Sequence, residues 1–340
     1  MVKKKLSIVD IANSLNISKT SVSFILNGRA AEKRISEELV ARVMKFVEEV
    51  GYKPNSLAKS LRTGKSNIIG LMVEDISNPF FAAIARLIED RAYKNGYKII
   101  YCSTDNDTNK TKDLIQMFRD RHVDGYIMAP PEGIEEDVND LLKNNLPVVM
   151  FDRYLPNVDT DHVVIDNKAS TFKATQVLIK QGYKDIAFVT FSSEQTQMND
   201  RLAGYEQAIA EAGLKTNIKQ VKFQQNEDLI IEPIFEYINE NHKRLDAVLF
   251  GTNHVGVCGL KVFKRLGISV PDDLAVISFD DYDVFQLYTP PVTAIAQPIE
   301  EIADNVITLL LNKLNNKTSL ADKQTIIVPT IMNVRASSGK

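Results

Sequence analysis

The chain has only two cysteines and four histidines in 340 residues. Cys102 and Cys258 each sit in an apolar run without a CxxC neighbour, so both are expected to be reduced, buried packing residues of a cytoplasmic protein. The scattered His122, His162, His242 and His254 suggest no metal site. No apolar run reaches the ~18–20 residues of a membrane-crossing helix. The opening Met-Val-Lys-Lys-Lys lacks the apolar stretch of a secretory leader, which adds to the cytoplasmic expectation and argues against a membrane partner. There is no GxSxG elbow, no P-loop and no paired His/Cys cluster, so neither catalysis nor a cofactor is expected. Asp280-Asp281 comes nearest to a carboxylate dyad, but neighbours on a strand face opposite sides. Low-complexity segments and short-period repeats are also missing.

What is there is unevenly spread. Residues 1–65 hold 13 Lys and Arg against 6 Asp and Glu, while 66–340 hold 28 against 38. A basic head on an acidic body is the asymmetry expected when one domain meets polyphosphate. Within the head, Ile8, Ile11, Ala12 and Leu15 keep helical spacing, Asn16 and Ile17 break it, and Ser18 can cap a second helix. That helix buries Val22, Ile25 and Leu26 and leaves Lys19, Thr20, Ser21 and Ser23 on its other side. Two short helices joined by a tight turn, the second beginning with polar residues, form a helix-turn-helix. A long basic loop with Arg29, Lys33 and Arg34 precedes a third helix over 36–50, which Gly51 stops. After Pro54, residues 55–62 can form about two helical turns, too few for a stable helix without a partner.

From Asn67 onward, short β-branched runs alternate with helical patterns. The first series places strands at 68–73, 99–103, 125–129 and 148–151. The second begins at 163–165 and continues with strands at 186–190, 220–223, 247–250 and 274–279. A late helix over 299–314 precedes a final strand at 324–328. This alternation predicts parallel sheets covered by helices, in two similar lobes with a ligand site at their seam. The fold class is therefore α/β, an all-α helix-turn-helix domain (1–53) and hinge segment (54–65) followed by a two-lobed core (66–340). The N-lobe is expected at about 66–165 and 296–325, and the C-lobe at about 166–295 and 326–340.

These residues resemble the LacI/GalR family of bacterial transcription regulators. The likeness is carried by the N-terminal module, by Gly51-Tyr-Lys-Pro-Asn-Ser-Leu-Ala-Lys-Ser-Leu-Arg-Thr-Gly64 and by Ile69-Gly-Leu-Met-Val-Glu-Asp-Ile-Ser-Asn-Pro-Phe-Phe81. It continues through Asp124-Gly125, Asp152-Arg153, Val164-Ile-Asp-Asn167, Arg201-Leu-Ala-Gly-Tyr205, Phe250-Gly-Thr-Asn253, Ser278-Phe-Asp-Asp281, Thr289-Pro-Pro-Val-Thr293 and Gln297-Pro298. The resemblance implies a periplasmic-binding-protein-like core and a homodimer that represses from a pseudo-palindromic operator. The implied effector is a sugar or sugar derivative.

On the DNA side, Ser18, Lys19, Thr20, Ser23 and Arg34 are the implied contacts, with Lys19 and Thr20 reading base edges in preference to phosphate. Leu61 matches the family's minor-groove wedge, and Asn55, Ala58 and Arg62 are its neighbours. Phe24 stands where the family usually has a guanine-contacting arginine, and either meets a thymine methyl or, as favoured here, packs under the loop.

In the cleft, the resemblance implies Arg201, Asp280 and Asn253 as polar ligands and Phe80 as a stacking ring, with Asp152 and Asp166 as weaker candidates. Asp166 has capping of the next helix as its alternative, and Arg201–Asp280 an interlobe salt bridge. His254 replaces the family's usual aspartate. A phosphoprotein corepressor, used by some relatives, is a further expected partner. The competing reading is a two-lobed sugar-binding protein of transport type, disfavoured by the basic head and the absence of a leader.

Overall fold

Ser7 opens the first helix with a capping box, its hydroxyl accepting from the Asp10 N–H while the Asp10 carboxylate accepts from the Ser7 N–H at 2.7 Å. The structure, a computed structural model, describes residues 6–52, 64–224 and 226–339. The chain divides into two units, Met1–Ser66 and Asn67–Lys340.

In the first unit, α1 (Ile8–Leu15) ends on Asn16 in the left-handed conformation. Helix α2 (Lys19–Leu26) is capped by Ser18, whose Oγ accepts from the Ser21 N–H at 3.0 Å. Helix α3 (Glu37–Glu49) is capped by Ser36 in the same way. Ile11, Ala12, Val22, Ile25 and Val43 are buried together between the three helices. The expected long loop contains a short 3-10 turn, Ala31–Lys33.

The second unit carries two six-stranded sheets. The first is built from β1 (Ile68–Val73), β2 (Lys98–Ser103), β3 (Gly125–Met128), β4 (Val148–Phe151), β5 (Asp161–Ile165) and β11 (Thr325–Val328), in the order β11-β5-β4-β3-β1-β2, all parallel. The second is built from β6 (Ile186–Phe191), β7 (Asn217–Val221), β8 (Ala247–Phe250), β9 (Ala275–Phe279), β10 (Thr293–Ala296) and β12 (Ile331–Asn333), in the order β12-β10-β9-β8-β6-β7. Only β12 runs antiparallel, against β10. Helices cover both faces, which is why strands such as β8, Ala-Val-Leu-Phe, are buried at every position rather than at alternate ones.

Helix α4 (Pro79–Lys94) starts behind the cap of Asn78 and packs against α12 (Ile299–Leu314) over the first sheet. Helices α5 (Thr108–Asp120) and α6 (Glu135–Lys143) belong to the same lobe. The second lobe has α7 (Asn167–Lys180), α8 (Thr196–Glu211), α9 (Asp228–Asn241), α10 (Asn253–Leu266) and the short α11 (Asp283–Leu287). The chain crosses between lobes three times, after β5, after β10 and after β11. No helix among the described residues is long and apolar enough to cross a membrane.

Three sequence expectations need correction. The last crossing was expected at 325/326, but β11 pairs with β5 in the first sheet, so the chain leaves that lobe only after Val328. Strands β10 and β12 and helix α11 were not expected, each being three to five residues long with too little pattern to read. Strand β7 starts three residues earlier than expected.

Candidate functional site

The first unit presents a polar helix start. Ser18, Lys19 and Thr20 are exposed at the N-terminus of α2, where unpaired N–H groups and the helix dipole favour phosphate. Ser23 is half-buried and accepts from Asn27 Nδ2 at 3.4 Å. Arg34 is exposed and closes the 3-10 turn in the left-handed conformation. Phe24 lies against that loop, with Lys33 Nζ 5.3 Å and Arg29 Cζ 5.8 Å from its ring centre. Asn55, Ala58, Leu61 and Arg62 lie outside the described residues.

In the second unit, a cleft of about 730 Å³ opens between the carboxyl ends of the two sheets, a volume suited to a small organic ligand. Asp152, Arg201, Asn253, Asp280 and Phe80 all line it; Asp166 does not. Asp166 instead accepts from Ser170 Oγ at 2.7 Å and from the Thr330 N–H at 2.9 Å, tying α7 to the last lobe crossing.

Arg201 is buried on α8, with its guanidinium stacked 3.7 Å from the Phe279 ring centre. It donates to Asn167 Oδ1 at 2.8 Å, to the Gly251 carbonyl at 2.9 Å and to Asp280 Oδ2 at 3.5 Å. Both Arg201 and Asp280 belong to the second lobe, so the interlobe salt-bridge reading does not hold. Asp280 follows β9 with φ +63° and accepts from Gln297 Nε2 at 2.6 Å. Its neighbour Asp281 faces away, bound by Arg335 and Asn333, which dissolves the dyad.

Opposite stands a set from the first lobe. Asp152 follows β4 with φ +67°, and the next residue, Arg153, is buried. Arg153 donates to Asp152 Oδ2 at 3.1 Å, to Glu74 Oε2 at 3.0 Å, to the Pro130 carbonyl at 2.9 Å and to Asn106 Oδ1. Burial pushes the Asp152 carboxyl up to about 6, against the pull of Arg153 and Arg201.

Several lining groups escaped the sequence reading. Gln197 Oε1 and Gln297 Oε1 are buried acceptors without a hydrogen-bond partner. A buried acceptor left unpaired is costly, and both belong to residues that line the cleft. Phe191, Phe223 and His254 meet edge to face, with ring centres 5.4–5.8 Å apart, and form an aromatic wall. Burial lowers the His254 pKa and so favours the neutral ring. Carboxylates outnumber guanidiniums in the lining by seven (Glu74, Asp75, Glu132, Asp152, Glu194, Glu227, Asp280) to two (Arg153, Arg201). Cys102 is half-buried rather than buried, while Cys258 is buried as expected but lies beside Glu227 and His254, a cluster the sequence did not suggest because Glu227 comes from a separate element.

Comparison with known proteins agrees with both halves of this description. The pattern of bacterial regulatory proteins of the lacI family matches residues 7–55, and that of the periplasmic binding protein-like domain matches residues 175–338. The HTH-type transcriptional regulator DegA of Bacillus subtilis (strain 168) is 32% identical over 98% of this chain and 98% of its own. The chain belongs to the lacI family of bacterial regulatory proteins. The ribose operon repressor of Halalkalibacterium halodurans is 29% identical, covering 98% of this chain and 97% of its own. The lac repressor dimer bound to operator and the anti-inducer ONPF shares the fold, with a TM-score of 0.85, 18% identity, and coverage of 99% of this chain and 100% of that one. This lacI-family chain is thus a transcription regulator rather than an enzyme, and the transport-protein reading falls with the helix-turn-helix in place.

Proposed function

We propose that this protein is a cytoplasmic repressor that binds a pseudo-palindromic operator as a homodimer and releases or engages it when a neutral sugar occupies the cleft. The observation that carries the effector reading is the pair of unpartnered acceptors, Gln197 Oε1 and Gln297 Oε1, beside Arg201 and Asp280. A polyol offers hydroxyl donors to the former and can accept from and donate to the latter. The surplus of carboxylates disfavours a phosphate or carboxylate on the effector, and the Phe191–Phe223–His254 wall suits the apolar face of a sugar ring. The domains fall as 1–53 for DNA, 54–65 for the hinge and 66–340 for effector and dimer. The ribose operon repressor among the relatives supports a sugar, and the operator-bound lac repressor dimer supports the two-fold arrangement, in which symmetry of protein and operator match.

Val284 and Leu287 stand exposed on α11, Leu287 at 83%, and such an apolar pair suits burial against a second copy. For a phosphoprotein corepressor, the arginines of α4 are already engaged within the chain, Arg86 with Glu89 and Asp90, and Arg91 with Asp304.

The deciding experiment pairs a thermal-shift screen of neutral sugars, sugar phosphates and sugar acids with operator binding by fluorescence anisotropy. A neutral sugar at about 100 times its Kd adds ~2.7 kcal/mol of stability and changes operator affinity. If only the anionic compounds act, or no sugar changes operator affinity, the effector assignment is wrong.

A further inference from the structure

Glu227, His254 and Cys258 bring a carboxylate oxygen, an imidazole nitrogen and a thiol sulfur within 4.8 Å of one another, the one such group among the described residues. His254 and Cys258 are four residues apart on α10, so they share one face of the helix. Glu227 reaches them from the residue preceding α9. Its two oxygens are already divided: Oε1 points at Cys258 Sγ, 3.9 Å away, and Oε2 accepts from Lys261 Nζ at 2.5 Å. Cys258 is fully buried, whereas Glu227 and His254 are half-buried and line the effector cleft.

We infer that Glu227 Oε1, His254 and Cys258 Sγ form a binding site for a zinc-like divalent cation in the wall of the cleft. The donor set decides the class of ion. One sulfur, one imidazole nitrogen and one carboxylate oxygen suit zinc and its transition-metal neighbours, whereas calcium and magnesium take oxygens alone. Around a tetrahedral zinc, with bonds of about 2.0–2.3 Å, the three donor atoms stand roughly 3.3–3.6 Å apart. The present spread of up to 4.8 Å therefore needs a contraction of up to about 1.5 Å, to be met by rotation of the Glu227 and His254 side chains.

Charge also balances. A thiolate and a carboxylate offset the divalent ion, and the remaining positive charge, that of Lys261 on Glu227, is half-exposed to solvent. On binding, Cys258 gives its thiol proton to solvent and its sulfur lone pair to the metal. Lys261, half-exposed on the far oxygen of Glu227, orients the carboxylate as an outer-shell donor and does not compete for Oε1. Three protein ligands leave a fourth position, and with His254 and Glu227 in the cleft lining that position faces the effector's space. A water or an effector hydroxyl completes the shell there, which makes the ion a candidate co-effector.

The test uses the full-length protein, reduced with a phosphine and stripped by chelator, with cobalt(II) alone as the probe and no sugar present. One equivalent is expected to give the thiolate-to-cobalt charge-transfer band and the d–d bands of a four-coordinate site, both erased by zinc. Cys258→Ser removes the charge-transfer band, while Cys102→Ser and Lys261→Ala keep it. His254→Gln and Glu227→Gln each weaken binding by more than the roughly 10- to 100-fold that follows loss of an outer-shell partner. Should Cys258→Ser fold poorly by circular dichroism, the half-buried His254 and Glu227 variants decide alone. Absence of the band in the wild type, its persistence in Cys258→Ser, or unchanged affinity in His254→Gln and Glu227→Gln overturns the site. Because no sugar enters the assay, a wrong sugar assignment leaves this result untouched.

Discussion

Arg201 and Asp280 face each other at 3.5 Å, yet each has a closer partner: Arg201 holds Asn167 Oδ1 at 2.8 Å, and Asp280 is held by Gln297 at 2.6 Å. The pair is oriented from behind and left slack in front. A ligand hydroxyl can enter between them without dismantling either support, which is how a preorganised site lowers the cost of binding.

Replacing either residue should therefore remove effector response and leave operator binding alone. A hydrogen bond to a charged group contributes about 1.5–3 kcal/mol, so Arg201→Ala or Asp280→Ala should weaken the sugar roughly 10- to 150-fold. Isothermal titration gives the affinity, and anisotropy on operator DNA gives the control. Normal responses in both variants would sink the cleft assignment. Asn167→Ala should reproduce part of the loss, since it frees the Arg201 guanidinium without touching the cleft.

Asp152 gives the cleft a pH signature. Its carboxyl titrates near 6 in the folded protein against an ordinary 3.8, because burial disfavours the charged form. The folded state thus holds this proton more tightly than the unfolded chain. The group weakens the fold as pH rises from about 4 to about 6, and the penalty is complete above that window. Asp152→Asn removes it. The stability of the variant relative to wild type should rise by about 1 kcal/mol between pH 5 and pH 7, read from denaturant unfolding at the two values. A difference that stays flat, or falls, contradicts the raised carboxyl.

Gly204 marks where α7 and α8 come closest. A Cβ added there would stand 2.2 Å from the Lys168 carbonyl oxygen and 3.0 Å from the Phe172 nitrogen. Both obstacles are backbone, so no side-chain rotation relieves the clash. Gly204→Ala should cost about 1–3 kcal/mol, and the two helices must part to accept it. Because Arg201 and Asn167 sit on these same two helices, the variant should also lose effector affinity. Thermal unfolding and sugar titration of one preparation check both.

The sheet pattern was legible because strands buried on both faces are short apolar runs between helical periods, as in Ala247–Phe250. Short elements were not: Ile331–Asn333 shows no alternation, and its antiparallel pairing depends on a chain that has already crossed between lobes three times. The cleft divides in the same way. Arg201, Asp280 and Asn253 were legible through their motifs, but Gln197 and Gln297 are ordinary amides until the fold buries one oxygen of each. Glu227, His254 and Cys258 meet only because α9 packs against α10, so spacing along the chain hides the first of them. Phe24 was a departure on paper, and the two loop cations over its ring give it a physical role.

Lys19 offers the sharpest check on the DNA side. It is exposed as the first residue of α2, beside the Ser18 cap and Thr20. A lysine that donates to guanine O6 or N7 and one that only neutralises phosphate differ in measurable ways. Loss of a base contact costs about 1–3 kcal/mol and relaxes preference at one operator position, whereas loss of a phosphate contact weakens all sequences alike and lowers the salt slope by about 1. For Lys19→Ala, the base-reading pattern is expected, with anisotropy titrations run on a set of single-position operator variants at several salt concentrations. Arg34→Ala, on the exposed loop, should show the phosphate pattern. Uniform weakening by Lys19→Ala with a reduced salt slope would move this residue from reading the operator to positioning the domain upon it.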